Sequence, residues 1–146
     1  QQNNLNLKNK KMKKIMLTIA LALFSTIMFA QNKNYQLSSH ILDVSKGTPA
    51  SNISIKLEKY NENSKTWSFV DEKKTDANGR ITDFLSSENS NLGIFKLTYY
   101  TSDYFKLNNT ESFYPFIEVV FQIKDQNHYH VPITLSAFGY STYRGN

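Results

Sequence analysis

The chain has no cysteine, only two arginines (Arg80 and Arg144) and only three histidines (His40, His128 and His130) in 146 residues. Each shortage removes chemistry. Without cysteine there is no disulfide framework, no thiolate zinc site and no thiol nucleophile. No serine sits in a Gly-x-Ser-x-Gly elbow and no glycine loop is built to cradle phosphate, so neither of those motifs supports an activity. The carboxylates show no pairing suited to glycoside chemistry. No acidic residue precedes Asp43, and five lysines (Lys8, Lys10, Lys11, Lys13, Lys14) crowd the first fourteen positions. They account for the whole net charge of +5, leaving twelve of the seventeen basic residues against twelve acidic ones. A nucleic-acid binder that neutralises phosphates needs a basic body. This body is neutral, and no nucleic-acid partner is expected.

The lysines precede an apolar run of 16 residues, Ile15 to Ala30, followed by polar QNKNYQ. The run falls short of the roughly 20 residues that span a bilayer as a helix. Basic stretch, short apolar run and terminal small residue have the form of a secretory signal peptide, residues 1–30, cleaved after Ala30. Met12 is the expected start. The competing reading is an uncleaved anchor, because Met28 is larger than the small residue usual at the third position before a cut. The expected mature domain, residues 31–146, is one compact unit exported to the periplasm or beyond, where a cysteine-free chain has nothing to misoxidise. Two Asn-x-Ser/Thr sequons, at Asn52 and Asn108, fit chance in an asparagine-rich chain.

The body reads as short alternating strands. Ile53, Ile55 and Leu57 alternate with polar neighbours, as do Ile117, Val119, Phe121 and Ile123, and Tyr129, Val131, Ile133 and Leu135. Turn signals separate the runs: Lys46-Gly47-Thr48-Pro49, Asp76-Ala77-Asn78-Gly79 and Phe138-Gly139. Thr101–Leu107 is the one expected helix, with Thr101 or Ser102 as its cap. No strand-helix-strand alternation marks a parallel sheet. The expected fold is an all-β antiparallel sandwich of two four-stranded sheets with one short helix.

His128 and His130 share one face of their strand, because side chains repeat every two residues. Tyr129, Val131, Ile133 and Leu135 take the apolar face, so both imidazoles project outward. His40 lies with Gln36 and Ser38 on the polar side of its own strand. The three can meet only where those strands are neighbours in one sheet, or where subunits associate. Three readings stay open from spacing: histidines without a role, a three-histidine metal site, or metal-free hydrolysis with histidine as general base and arginine holding a planar anion.

The stretch His128–Asn146, HYHVPITLSAFGYSTYRGN, closely resembles the ending of the 5-hydroxyisourate hydrolases, the enzymatic members of the transthyretin family. Leu37–Asp43 (LSSHILD) resembles their first motif, and Gly47-Thr48-Pro49-Ala50 through Thr75-Asp76-Ala77-Asn78-Gly79-Arg80 resembles their middle. The Gly-x-Pro-Ala and Thr-Asp-x-Asn-Gly pieces are shared by many prealbumin-like modules. The C-terminal stretch is specific, and hormone-carrying transthyretins lack it. The resemblance implies catalytic roles for His40, Arg80 and His130. It places His40, Arg80, Tyr143 and Arg144 against substrate and leaves His128 and Asn146 as possible participants. It further implies a cofactor-free, metal-free enzyme of urate degradation and a homotetramer built as a dimer of dimers, with sites where the dimers meet. The implied reaction opens the ring of 5-hydroxyisourate to 2-oxo-4-hydroxy-4-carboxy-5-ureidoimidazoline. Two departures stand out: Asn146 where the motif carries serine, and Ala137 where it usually carries proline. Asn146 keeps a non-catalytic, transthyretin-like binding or scaffold protein as the alternative.

Overall fold

The computed structural model describes residues 34–145. The expected leader and Asn146 lie outside the described residues. Within them the order is β1 (Tyr35–Asp43), β2 (Thr48–Pro49), β3 (Ser54–Asn61), β4 (Thr66–Lys74), β5 (Arg80–Ser86), β6 (Gly93–Tyr99), α1 (Ser102–Leu107), β7 (Ile117–Ile123), β8 (Tyr129–Ser136) and β9 (Gly139–Thr142). One sheet runs β4-β3-β6-β7. In the other, β1 is central, with β8 and then β9 on one side and both β2 and β5 on the other. This is the expected sandwich with its short helix. The sheet built around β1 reaches five strands because two-residue β2 lies beside the end of β1, pairing Leu42 with Pro49.

Alternation decides which side chains fill the space between the sheets. Ile55 and Leu57 of β3, Ile117, Val119 and Ile123 of β7, and Tyr129, Val131, Ile133 and Leu135 of β8 are buried together with Phe84, Phe95 and Leu97. A polar clip crosses this core. Tyr99 Oη lies 3.0 Å from Ser39 Oγ and donates to the Val131 carbonyl at 3.1 Å, which also accepts from Ser39 at 2.8 Å. Burial pushes the Tyr99 hydroxyl well above its ordinary pKa. Thr101 stands at the N-cap of α1, but its hydroxyl makes no capping bond. The helix is held instead by Phe105, buried in the core, and by Tyr104, whose hydroxyl donates to Asp43 Oδ2 at 2.7 Å.

One pairing departs from the antiparallel pattern. β1 and β8 run parallel, with Leu37 to Asp43 in register with Tyr129 to Leu135. Parallel neighbours need a long crossover, usually a helix. Here the connection is almost the whole remaining chain, including every strand of the four-stranded sheet. Missing strand-helix-strand signals therefore said nothing about this pair.

Candidate active site

The parallel pairing sets His130 beside Ser38, and the antiparallel pairing of β1 with β5 sets Arg80 directly opposite His40. Three adjacent strands thus each contribute one candidate side chain, His40, Arg80 or His130, to the outer face of the five-stranded sheet. The strands that carry His40 and His130 are neighbours in one sheet, which was one of the two conditions for the histidines to meet.

Local chemistry at the β4–β5 turn places Arg80. Asp76 Oδ1 accepts the backbone N–H of Asn78 at 2.8 Å and that of Arg80 at 2.9 Å, an Asx-type closure. Gly79 sits at φ +69°, and a Cβ there would lie 2.7 Å from the Ile41 carbonyl oxygen. Only glycine lets this turn press against β1, where the Gly79 carbonyl accepts the Ile41 N–H at 2.9 Å. Arg80 is exposed, and among the described residues no carboxylate pairs with it. Its fork is open to an anion.

His130 is half-buried and held on two sides. Its Nδ1 is 2.8 Å from Ser38 Oγ. Gly145 lies against the ring, with its N–H donating to the His130 carbonyl at 2.9 Å and its Cα so close that a Cβ would meet His130 Cδ2 at 2.4 Å. The exposed His128 reaches the same hydroxyl, with Nε2 at 2.8 Å, while its Nδ1 is 2.9 Å from the Tyr35 carbonyl. His128 thus supports the site from behind Ser38.

Burial lowers the pKa of both His40 and His130, and the Arg80 charge lowers both further. Around His40, the backbone of Asn78 and the carboxylate of Asp76 act in the opposite sense. His130 also feels His40 and His128. Both shifts favour the neutral imidazole, the form that can accept a proton, beside a fixed cation. Among the described residues, no three histidine, aspartate or glutamate side chains are grouped to hold a metal ion.

Arg144 and Tyr143 are not brought into this cluster. The Arg144 guanidinium lies 4.8 Å over the ring of Tyr129, a core-facing residue. With Tyr143, which is 60% exposed, it lines a cleft between the edges of β7 and β9. The motifs singled out His40, Arg80 and His130 but not the residues that hold them: Ser38, Asp76 and Gly145. The signal for Ser38 was present, since alternation puts it two residues from His40 on the same face.

Residues 37–145 match the model of the HIUase/Transthyretin family. A probable 5-hydroxyisourate hydrolase of Caenorhabditis elegans is 42% identical over 138 residues, covering 92% of this chain and all of the relative. The 5-hydroxyisourate hydrolase of Mus musculus is 36% identical over 111 residues, covering 75% of this chain and 94% of its own. The structure of Klebsiella pneumoniae 5-hydroxyisourate hydrolase superimposes with a TM-score of 0.64 at 35% identity, covering 75% of this chain and 98% of that one. The match runs from Leu37 in β1 to the glycine that packs on His130, so it takes in Ser38, His40, Arg80, His128 and His130, and the chain belongs to the HIUase/Transthyretin family.

Proposed function

We propose that this protein hydrolyses 5-hydroxyisourate, opening its six-membered ring to give 2-oxo-4-hydroxy-4-carboxy-5-ureidoimidazoline. The observation that carries the reading is the placement of His40, His130 and Arg80 on one outer sheet face, where burial and the Arg80 charge lower the pKa of both imidazoles. A neutral imidazole takes a proton from water. The water oxygen adds to the ring carbonyl carbon, and the negative charge that develops is held by the Arg80 guanidinium. The carbon–nitrogen bond then breaks, the ring nitrogen takes up a proton, and a carboxylate remains. No step calls on a metal or a cofactor. The names of the relatives and the intact His-x-His and Tyr-Arg-Gly segments support the substrate.

The cluster sits on an outer face of a single chain, with one side of its space unwalled. We propose a homotetramer in which a second dimer covers this face, excluding water from the anion held by Arg80.

The test is direct. 5-Hydroxyisourate is generated in situ with urate oxidase, and its ultraviolet decay is followed with and without the mature protein, a chelator being present throughout. Decay faster than the spontaneous background supports the hydrolase and removes a labile metal as its cause. Folded protein that leaves the background rate unchanged overturns the hydrolase and favours the binding role.

A further inference from the structure

We propose that His128 and Ser38 form a hydrogen-bond chain that fixes the tautomer of His130 and so makes His130 Nε2 the catalytic base. The proposal rests on the hydrolase reading above and names which histidine atom performs its first step.

The direction of the chain follows from its first member. The Tyr35 carbonyl is 2.9 Å from His128 Nδ1 and can only accept. Nδ1 of His128 therefore carries the hydrogen, and in the neutral ring its Nε2 carries the lone pair. That lone pair is 2.8 Å from Ser38 Oγ, and it takes the single hydroxyl hydrogen. With its hydrogen committed, Ser38 Oγ presents lone pairs to the third member. His130 Nδ1, also at 2.8 Å, must then be the donor. A neutral His130 with hydrogen on Nδ1 has its lone pair on Nε2, which has no hydrogen-bond partner among the described residues. One backbone carbonyl, three residues before Ser38, thus dictates the protonation of a ring on the neighbouring strand.

The arrangement also explains why two histidines of such different exposure occur in one His-x-His. His130 is half-buried beside Arg80 and His40, where it meets substrate. His128 is exposed and touches neither Arg80 nor His40 by any hydrogen bond. Its contacts are the Tyr35 carbonyl and Ser38, as a positioning residue requires. Once Nε2 of His130 has taken the water proton, the Nδ1–H bond to Ser38 persists and steadies the imidazolium. Ser38 is itself 8% exposed, so water does not readily replace its hydroxyl.

The first experiment reads the tautomer without turnover. Two-bond nitrogen–proton correlation spectra of nitrogen-labelled protein, taken where the rings are neutral, are expected to show both His128 and His130 with hydrogen on Nδ1. His130 with hydrogen on Nε2 in the wild type overturns the proposal. It does so even if the protein turns over 5-hydroxyisourate, so the two readings fail separately. In Ser38→Ala, His130 is expected to shift toward the Nε2–H form, with kcat falling about 10- to 100-fold and KM little changed. Ser38→Thr keeps the hydroxyl and is expected to restore both the tautomer and most of kcat. His128→Ala, at an exposed position, is expected to weaken the same bias without unfolding the chain. A Ser38→Ala or His128→Ala protein whose His130 keeps hydrogen on Nδ1 refutes the chain.

Discussion

Replacing Gly145 with alanine tests the site through its tightest contact. A Cβ at position 145 would stand 2.4 Å from Cδ2, 3.0 Å from Cγ and 3.2 Å from Cβ of His130. Carbon atoms rest at about 3.5–4.0 Å, so roughly 1.1 Å of overlap must be relieved. Two movements can relieve it. The ring can swing by about that amount, which stretches its 2.8 Å bond to Ser38 past any useful length. Alternatively the terminal segment lifts, giving up the 2.9 Å bond from the Gly145 N–H to the His130 carbonyl. The core is untouched either way, because Gly145 lies beyond β9 at the end of the described residues. A displacement near 1 Å at a catalytic group costs about 100-fold in rate. Gly145→Ala is therefore expected to lower kcat/KM for 5-hydroxyisourate about 100-fold, or roughly 2.7 kcal/mol of transition-state stabilisation. Stability measured by denaturant midpoint is expected to change by under about 1 kcal/mol. Stopped-flow decay of freshly generated substrate gives the rate. A variant within threefold of wild-type turnover, with the ring still bonded to Ser38, would refute the reasoning.

Other substitutions probe the surrounding electrostatics and support. Arg80→Met removes a cause of the lowered pKa of both His40 and His130, so both are expected to titrate at higher pH than in the wild type. Proton shifts of the ring Cε1–H groups report this, and unchanged titration of both rings would show that Arg80 does not act on them. In the wild type the unfolded chain binds more protons than the folded one between the lowered folded pKa values and the ordinary 6.5. Stability should therefore fall as pH drops through that window, and a flat denaturant midpoint across it would contradict the shifts. Gly79→Ala places a Cβ 2.7 Å from a backbone carbonyl at φ +69° and is expected to cost about 2–4 kcal/mol in chemical denaturation. Tyr99→Phe removes one arm of the core clip, while Ser39 still satisfies the Val131 carbonyl. A loss of about 1 kcal/mol is expected, and one above about 3 would mean the hydroxyl does more than bridge the sheets.

The inner faces of β3, β7 and β8 were legible in the sequence, because burial imposes the same period-2 rule on Ile117–Ile123 and Tyr129–Leu135 wherever the strands lie. The outward projection of His128 and His130 followed from the same rule. Strand neighbours did not follow from it. Alternation is identical for parallel and antiparallel partners, so nothing in LSSHILD announces that β8 lies alongside. That adjacency is what makes Ser38 more than a polar filler. Arg144 shows the complementary limit. A motif places it next to Tyr143 and Gly145, but Tyr143 and Arg144 lie beyond β9, where strand alternation gives no guide, and its guanidinium ends over Tyr129.

The bond between Ser38 and His130 joins positions 92 apart. A loop that long closes late, because its entropic cost is met only once the intervening strands have docked. The four-stranded sheet, with its β3–β4 hairpin, can form earlier from contacts closer in sequence. Until β8 slots in beside β1, the chain holds His40 and Arg80 on one fragment and an unplaced His130 on another. Recovery of turnover on refolding should consequently coincide with the last structural phase, and no partly folded species can open the ring of its substrate. Catalytic competence in this protein marks the completion of folding.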